Sequence, residues 1–378
     1  MKKDWYDVFG IFQEIVIFLV IIAGLYVEKY RKIVVILTII LVTITIINAK
    51  KNNKGIFRKK FKNVDIPEEF KKIFLELNRK YVSVLENVRR NCLVKILSAY
   101  LVLGLGGYFF YRIVVSRRGN EPMSMFLILA GVYIICVLKT FAEKERYKKN
   151  YTSLYKNKVV RDFIKTMNSN LNYSPECNQR LIMGNKYKAA GFDSKDFNIV
   201  KSDDYITGNL GYNSFLEMAE LKLISDRGKE DEISVRTLVF NGVFAYIKMD
   251  KDLKRFIQIT RNKRIHMLNQ TYRLIEMDSQ VFENYFDVYG DDKILTMRII
   301  TPELMDELVG FYEKYKIDFD ICMQGNYIFM RFFSGQMFEP TVFKNSMEKD
   351  YLFMYYCIFK LILDVVEKIY IAVDDIDL

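Results

Sequence analysis

The chain contains one histidine, His266, in the basic run Arg261-Asn-Lys-Arg-Ile-His266. An imidazole titrates near neutrality and can act as a general base or a metal ligand. No serine or cysteine motif accompanies it as a nucleophile, and the run reads as a solvated loop. Carboxylates occur as adjacent pairs, Asp203 with Asp204, Asp291 with Asp292 and Asp374 with Asp375. Acid–base chemistry needs carboxyl groups that converge on one point. Neighbours in a strand point to opposite faces, so an adjacent pair in a strand cannot converge, and in a loop such pairs are ordinary turn residues. The five cysteines, Cys92, Cys136, Cys177, Cys322 and Cys357, are scattered and include no Cys-x-x-Cys pair. They read as free thiols in a reducing compartment, and one histidine with these spacings excludes a zinc site of the usual type. No phosphate-binding glycine loop, nucleophile elbow or His-Glu-x-x-His run occurs. The inventory therefore assigns no catalytic, cofactor-binding or metal residue and calls for no cofactor. The chain reads as a binding protein, with an enzyme built on carboxylates assembled in space as the alternative and a small transport component as a second.

The elements that would carry these residues fall into two populations. Of 378 residues, 51% are apolar and 15% aromatic, which excludes a disordered chain. Four stretches, about 11–27, 33–47, 92–115 and 123–138, are nearly free of charge and are read as membrane spans, for which ~20 apolar residues are usual and ~17–25 the range. The first lacks a small-x-small cleavage site and is followed at once by the second, so it reads as an uncleaved hairpin and not a leader. Lysine and arginine total 57 against 46 aspartate and glutamate, a net +11. Segment 49–91 holds 13 basic residues and five acidic, and 139–165 holds nine and three, whereas 166–378 sums to −7. Basic residues flank spans on the cytoplasmic side. The expected topology therefore has both termini cytoplasmic in a bacterial plasma membrane. The basic charge lies beside the spans and not on the C-terminal domain, which excludes a nucleic-acid footprint. Lys50, Lys51, Lys54, Arg58, Lys59, Lys60, Lys144, Arg146, Lys148 and Lys149 are the candidate contacts to anionic lipid headgroups of the bilayer. Glu14 and Lys95, at one expected depth, form a candidate intramembrane pair, with snorkelling to the interface as the plainer account.

Between the two expected hairpins, Asp65-Ile-Pro-Glu68 has the form of a helix start. Ile66, Phe70, Ile73, Leu77, Tyr81, Leu85 and Val88 then recur at helical spacing, forming a stripe for packing on the domain or lying on a membrane. Residues 140–170 read as a helical stalk. From about 196 the period shortens to that of strands, at 205–210, 214–224, 233–240, 243–247, 256–260, 272–277, 294–300, 317–323 and 327–333, with a hairpin turn at Asn241-Gly242 and another at Gly325-Asn326. Helices interrupt at 278–285 and 301–314, the latter opened by Thr301-Pro302 as cap and first residue. Segment 351–373 is apolar but carries Lys360, Asp364, Glu367 and Lys368, so it reads as a helix closing the core and not a fifth span.

Six motifs come in order: Leu171-Asn-Tyr-Ser-Pro-Glu176, Asp203-Asp-Tyr-Ile-Thr-Gly208, Val239-Phe-Asn-Gly-Val-Phe-Ala245, Tyr285-Phe-Asp-Val-Tyr-Gly-Asp-Asp292, Ile300-Thr-Pro-Glu-Leu-Met305 and Ser334-Gly-Gln-Met-Phe-Glu-Pro340. Together, across about 60–370, the chain resembles the bacterial domain-of-unknown-function family numbered 3137. The resemblance implies a membrane hairpin followed by a cytosolic domain, and no activity or site residue. The extra N-terminal hairpin departs from that pattern. The expected fold class is thus a membrane protein, with four transmembrane helices in two hairpins and a cytosolic α+β domain. That domain is mostly antiparallel sheet with a C-terminal helix. The divisions are 1–48 (transmembrane hairpin), 49–91 (basic amphipathic helix), 92–138 (second hairpin), 139–170 (basic stalk) and 171–378 (α+β domain). The expected partners are the bilayer and a protein or small ligand bound by the α+β domain, with a homo-oligomer open.

Overall fold

The computed structural model describes residues 64–116, 123–192, 196–226, 236–253, 255–261, 272–340, 342–343, 347 and 349–377. Among the described residues two long helices come first, α1 (Glu68–Ser116) and α2 (Met123–Leu154). A π-helical turn (Tyr155–Val160) continues α2 into α3 (Arg161–Met167). Strand β1 (Leu171–Glu176), helix α4 (Arg180–Ala189) and strands β2 (Ile199–Gly211), β3 (Ser214–Asp226) and β4 (Arg236–Lys248) follow. Next come β5 (Ile257–Arg261), β6 (Arg273–Leu274), α5 (Gln280–Glu283), β7 (Phe286–Gly290), α6 (Lys293–Ile299), α7 (Pro302–Tyr315), β8 (Phe319–Gln324), β9 (Tyr327–Phe332) and α8 (Lys349–Asp377). The strands form one nine-stranded sheet in the order β1-β2-β3-β4-β9-β8-β5-β7-β6, and every pairing is antiparallel.

The chain divides into two compact units. In the first, which includes Asn87–Asn150, Lys95 Nζ pairs with Glu143 Oε2 at 2.9 Å. Val94, Leu97, Ile128, Val132, Ile134, Ile135 and Leu138 of this unit are exposed. The second, which includes Lys59–Glu86, Tyr151–Pro340 and Lys344–Leu378, holds the sheet. Its central strands β4, β9, β8 and β5 bury consecutive residues and are therefore covered on both faces, whereas β1 and β2 bury mainly alternate residues. On one face, Met183 and Tyr187 of α4 cover Ala219, Leu221, Leu223, Phe240 and Phe244, with the Tyr187 ring 5.1 Å from Phe240 and 5.3 Å from Phe244. On the other, Tyr355 of α8 reaches Met218 and lies 6.2 Å from Phe163 of α3. Phe70, Ile73, Leu77 and Leu85 of the α1 stripe are buried, Phe70 lying 5.0 Å from Phe353 and 5.4 Å from Tyr356. The stripe therefore packs on the domain. The C-terminal helix closes the core as expected, and Thr301 caps α7 by accepting from the Leu304 amide.

Three expectations are corrected. The first is the membrane protein with four spans. Among the described residues no helix is long and apolar enough to cross a membrane, and what stands in its place is a large antiparallel sheet domain with helices. The windows 92–115 and 123–138 are parts of α1 and α2. The charge-free run of α1 is bounded by Lys95 and Arg112, and that of α2 ends at Lys139, so each falls below ~17 residues. The windows 11–27 and 33–47, and with them the N-terminal hairpin, lie outside the described residues. The multi-pass membrane reading is withdrawn on this finding. Second, Asn241-Gly242 makes no turn. Strand β4 runs straight through it, and a Cβ on Gly242 would stand 1.9 Å from the Phe332 carbonyl oxygen of β9. The glycine serves close backbone approach. Third, 294–300 forms helix α6 and not a strand, because the Asp292 side chain caps it by accepting from the Leu295 amide. The Gly325-Asn326 turn joins β8 to β9 as expected, and Tyr212-Asn213, both at positive φ, turns β2 into β3.

Candidate functional site

Three of the ordered motifs, distant in sequence, meet around Lys156 of the π-helical turn. Its Nζ donates to Asp203 Oδ2 at 2.6 Å and Asp204 Oδ2 at 2.7 Å, and pairs with Glu339 Oε1 at 2.8 Å. Tyr173 of β1 donates its hydroxyl to Asp204 Oδ1. Glu220 of β3 accepts at Oε1 from the amides of Met337 (2.9 Å) and Phe338 (3.3 Å), while its Oε2 is buried without a partner. The Phe338 ring lies 4.4 Å from Tyr355 and 6.1 Å from Tyr173. Asp204 is fully enclosed, whereas the side chains of Asp203 and Glu339 are 36% and 42% exposed.

Local backbone makes this convergence possible. The pairing of β2 with β3 shifts register between Asp203 and Ile206, and Asp204 sits at φ 51°. The bulge breaks strict alternation, so both neighbours reach one ammonium. The expectation that adjacent aspartates of a strand diverge is corrected here. Gly242 of the third motif lets segment 334–340 follow β9 closely, a Cβ there meeting both Phe332 O and Ser334 N, and Asn241 O accepts from the Gly335 amide at 3.4 Å.

The electrostatics follow from burial. Burial lifts Asp204 to about 7, with the Asp203 charge adding to it and Lys156 opposing. Burial, with the Asp204 charge adding to it, pushes Glu220 well above the carboxylate range. Burial works against the Lys156 ammonium, but the charges of Asp204 and Glu339 and the hydrogen bonds it donates to Asp203 and Asp204 outweigh it, so its pKa is raised. Tyr173 and Tyr355 are raised as well, through burial and the neighbouring carboxylates. Oxygens of Asp203, Asp204 and Glu339 lie within 4.8 Å of one another, a spacing a metal could use. The ammonium already stands within hydrogen-bond reach of each, and a raised pKa keeps it charged, so the donor set fits the lysine and no metal is assigned.

An open cavity of about 370 Å³ adjoins the cluster, lined by Glu176, Cys177, Asn178, Arg180, Ser202 and Asp203. The Ser202 hydroxyl there is buried with no partner, and Arg180 is exposed. β1, an edge strand, carries Pro175, which has no amide to offer an added strand.

Lys156, Tyr173, Glu220 and Glu339 were not distinguishable as a site from sequence. The available signal was a glutamate set within an apolar run, Met218-Ala-Glu-Leu221; Lys156 stands in the polar run Lys156-Asn-Lys158, which gave none. Of the residues singled out, Glu14, Lys50, Lys51, Lys54, Arg58, Lys59, Lys60 and His266 lie outside the described residues. Lys95 is engaged by Glu143. Arg146, Lys148 and Lys149 are exposed on α2, and Lys144 is half-buried with its ammonium 4.9 Å from the Phe141 ring. Cys92, Cys177, Cys322 and Cys357 are buried free thiols and Cys136 an exposed one.

Residues 238–370 match the model of a family described as "Protein of unknown function (DUF3137)", which bears out the resemblance over that segment. The match runs from β4 into α8, so the motifs at 171–176 and 203–208 precede it. No curated protein matches the chain. Among solved structures, the crystal structure of the mycobacterial trehalose monomycolate transport factor A, TtfA, is similar at 7% identity. That likeness has a TM-score of 0.33 over 56% of this chain and 90% of that one, and it carries no argument about this chain.

Proposed function

We propose that the sheet domain is a binding module for a small polar ligand, and that the open cavity beside β1 and β2 is its recognition site. The observation that carries this reading is the position of Asp203, which lines the cavity and also belongs to the Lys156 cluster. A ligand there would meet an exposed guanidinium (Arg180), an amide (Asn178) and two carboxylates (Glu176, Asp203), with the unpartnered Ser202 hydroxyl buried in the lining. That set suits a molecule with an anionic and a cationic end, such as an amino acid or a peptide terminus. Binding is favoured over catalysis because Lys156 and Asp204 are already engaged with each other and their neighbours. Lys156 directs its three donors to three carboxylates, and the enclosed Asp204 has no path to a substrate. Thermal-shift screening and calorimetry of the full chain against amino acids, short peptides, polyamines and nucleotides tests the reading. A zwitterionic ligand should stabilise the protein, and Arg180→Ala or Ser202→Ala should abolish the shift. A ligand that binds both variants as well as the parent protein, or no stabilisation by any class, would overturn it.

A further inference from the structure

Segment 334–340 carries no helix or strand, and it crosses the buried cluster as a strap. Two ionisable groups hold it. Glu220 accepts from the amides of Met337 and Phe338, and Lys156 pairs with Glu339. Between these ties the Phe338 ring is seated near Tyr355 and Tyr173. The groups facing Asp204 and Glu220 come from every element packed there. They are Lys156 of the π-helical turn, Tyr173 of β1, Asp203 of β2, Glu339 of the strap and Tyr355 of α8. Among them stand four carboxyl groups and one ammonium. With all four ionised, the enclosure would carry an excess of negative charge that a low-dielectric interior does not tolerate. Asp203 is fixed within β2. Glu339 is the most exposed of the four and sits on irregular backbone, so it is the charge free to leave.

We propose that 334–340 is a proton-controlled strap, closed while Asp204 and Glu220 retain a proton between them and released when both ionise. Release uncovers Tyr173, Tyr355 and the unpartnered Glu220 Oε2 and removes Glu339 from Lys156. Burial, the main reason both acids hold their protons above the ordinary carboxylate range, supplies the direction. The closed form binds more protons than the open form, so rising pH opens it. The inference does not require that the neighbouring cavity bind anything.

Hydrogen–deuterium exchange of the full chain between pH 6 and pH 8.5, corrected for intrinsic exchange, tests it. Protection of peptides spanning 334–340 should fall by about tenfold for each unit of pH over which one linked proton is lost. Glu220→Gln keeps an acceptor for the two amides and removes one ionisation, so its strap should stay protected at pH 8.5. Asp204→Asn should flatten the profile in the same sense. Protection in the parent protein that does not change with pH would overturn the proposal, and this arm needs no variant to fold. An unaltered pH profile in Glu220→Gln, with sheet protection intact, would overturn it too.

Discussion

Lys156 Nζ lies 2.7 Å from Asp204 Oδ2, and this pair, scarcely reached by solvent, joins a π-helical turn to a strand bulge 48 residues further along the chain. The turn is held in the domain by Tyr151, Tyr155, Val159 and Val160, all buried. Removing the ammonium leaves three clustered carboxyl groups without their shared donor. Lys156→Met should therefore cost about 3–5 kcal/mol in urea unfolding at neutral pH. Lys156→Met combined with Asp204→Leu should recover much of that loss. A single-variant cost below ~1 kcal/mol would show that Lys156 does not balance the cluster.

The pH dependence of stability has a defined sign. Asp204 is lifted from an ordinary 3.8 to about 7, and Glu220 is displaced in the same direction. Across that window the folded chain holds protons that the unfolded chain has released, so these two groups make stability fall as pH rises from about 4 to 7. Glu220→Gln and Asp204→Asn should each flatten this slope, and denaturant titrations at several pH values would show it. Unchanged slopes in both variants would remove the assignment.

Gly242 is a backbone-contact position. Gly242→Ala places a methyl against the Phe332 carbonyl and the Ser334 amide, so β4 and β9 must separate or the strap must shift. A loss above ~3 kcal/mol is expected, with lowered exchange protection in 334–340. Thermal unfolding of the variant within ~1 kcal/mol of the parent would contradict the packing described.

Arg331 tests the other face of the sheet. Its guanidinium meets Asp320 Oδ2 (2.6 Å), Tyr187 Oη (2.6 Å) and the Phe192 carbonyl (3.3 Å), and it lies 4.7 Å and 4.9 Å from the Phe192 and Phe333 rings. A lysine ammonium cannot reproduce that planar fork. Arg331→Lys should lose about 2–4 kcal/mol in chemical denaturation, with the loss reduced in an Asp320→Asn background. Additivity of the two substitutions would exclude the coupling.

The antiparallel α+β character, the C-terminal closing helix, the α7 cap and the α1 stripe were legible in sequence, because each depends on periodicity or on a capping residue read locally. Four of the six ordered motifs fall within the family match at 238–370, which bears out the resemblance over that segment. Their common purpose was not legible. Tyr173, Asp204, Glu220 and Glu339 are separated by strands whose pairing order depends on long-range registers. Local pattern also failed where backbone geometry departed from the regular. A bulge turned two adjacent aspartates toward one lysine, and Asn241-Gly242, chemically suited to a turn, was recruited into a strand by the nearness of β9. The spans read into α1 and α2 are not supported, since no helix among the described residues is long and apolar enough to cross a membrane. Sequence determined which segments could be helix or strand and which side chains could carry charge. Only the tertiary structure decided which charges share an enclosure, because burial and mutual distance set their protonation, and neither is a property of chain order.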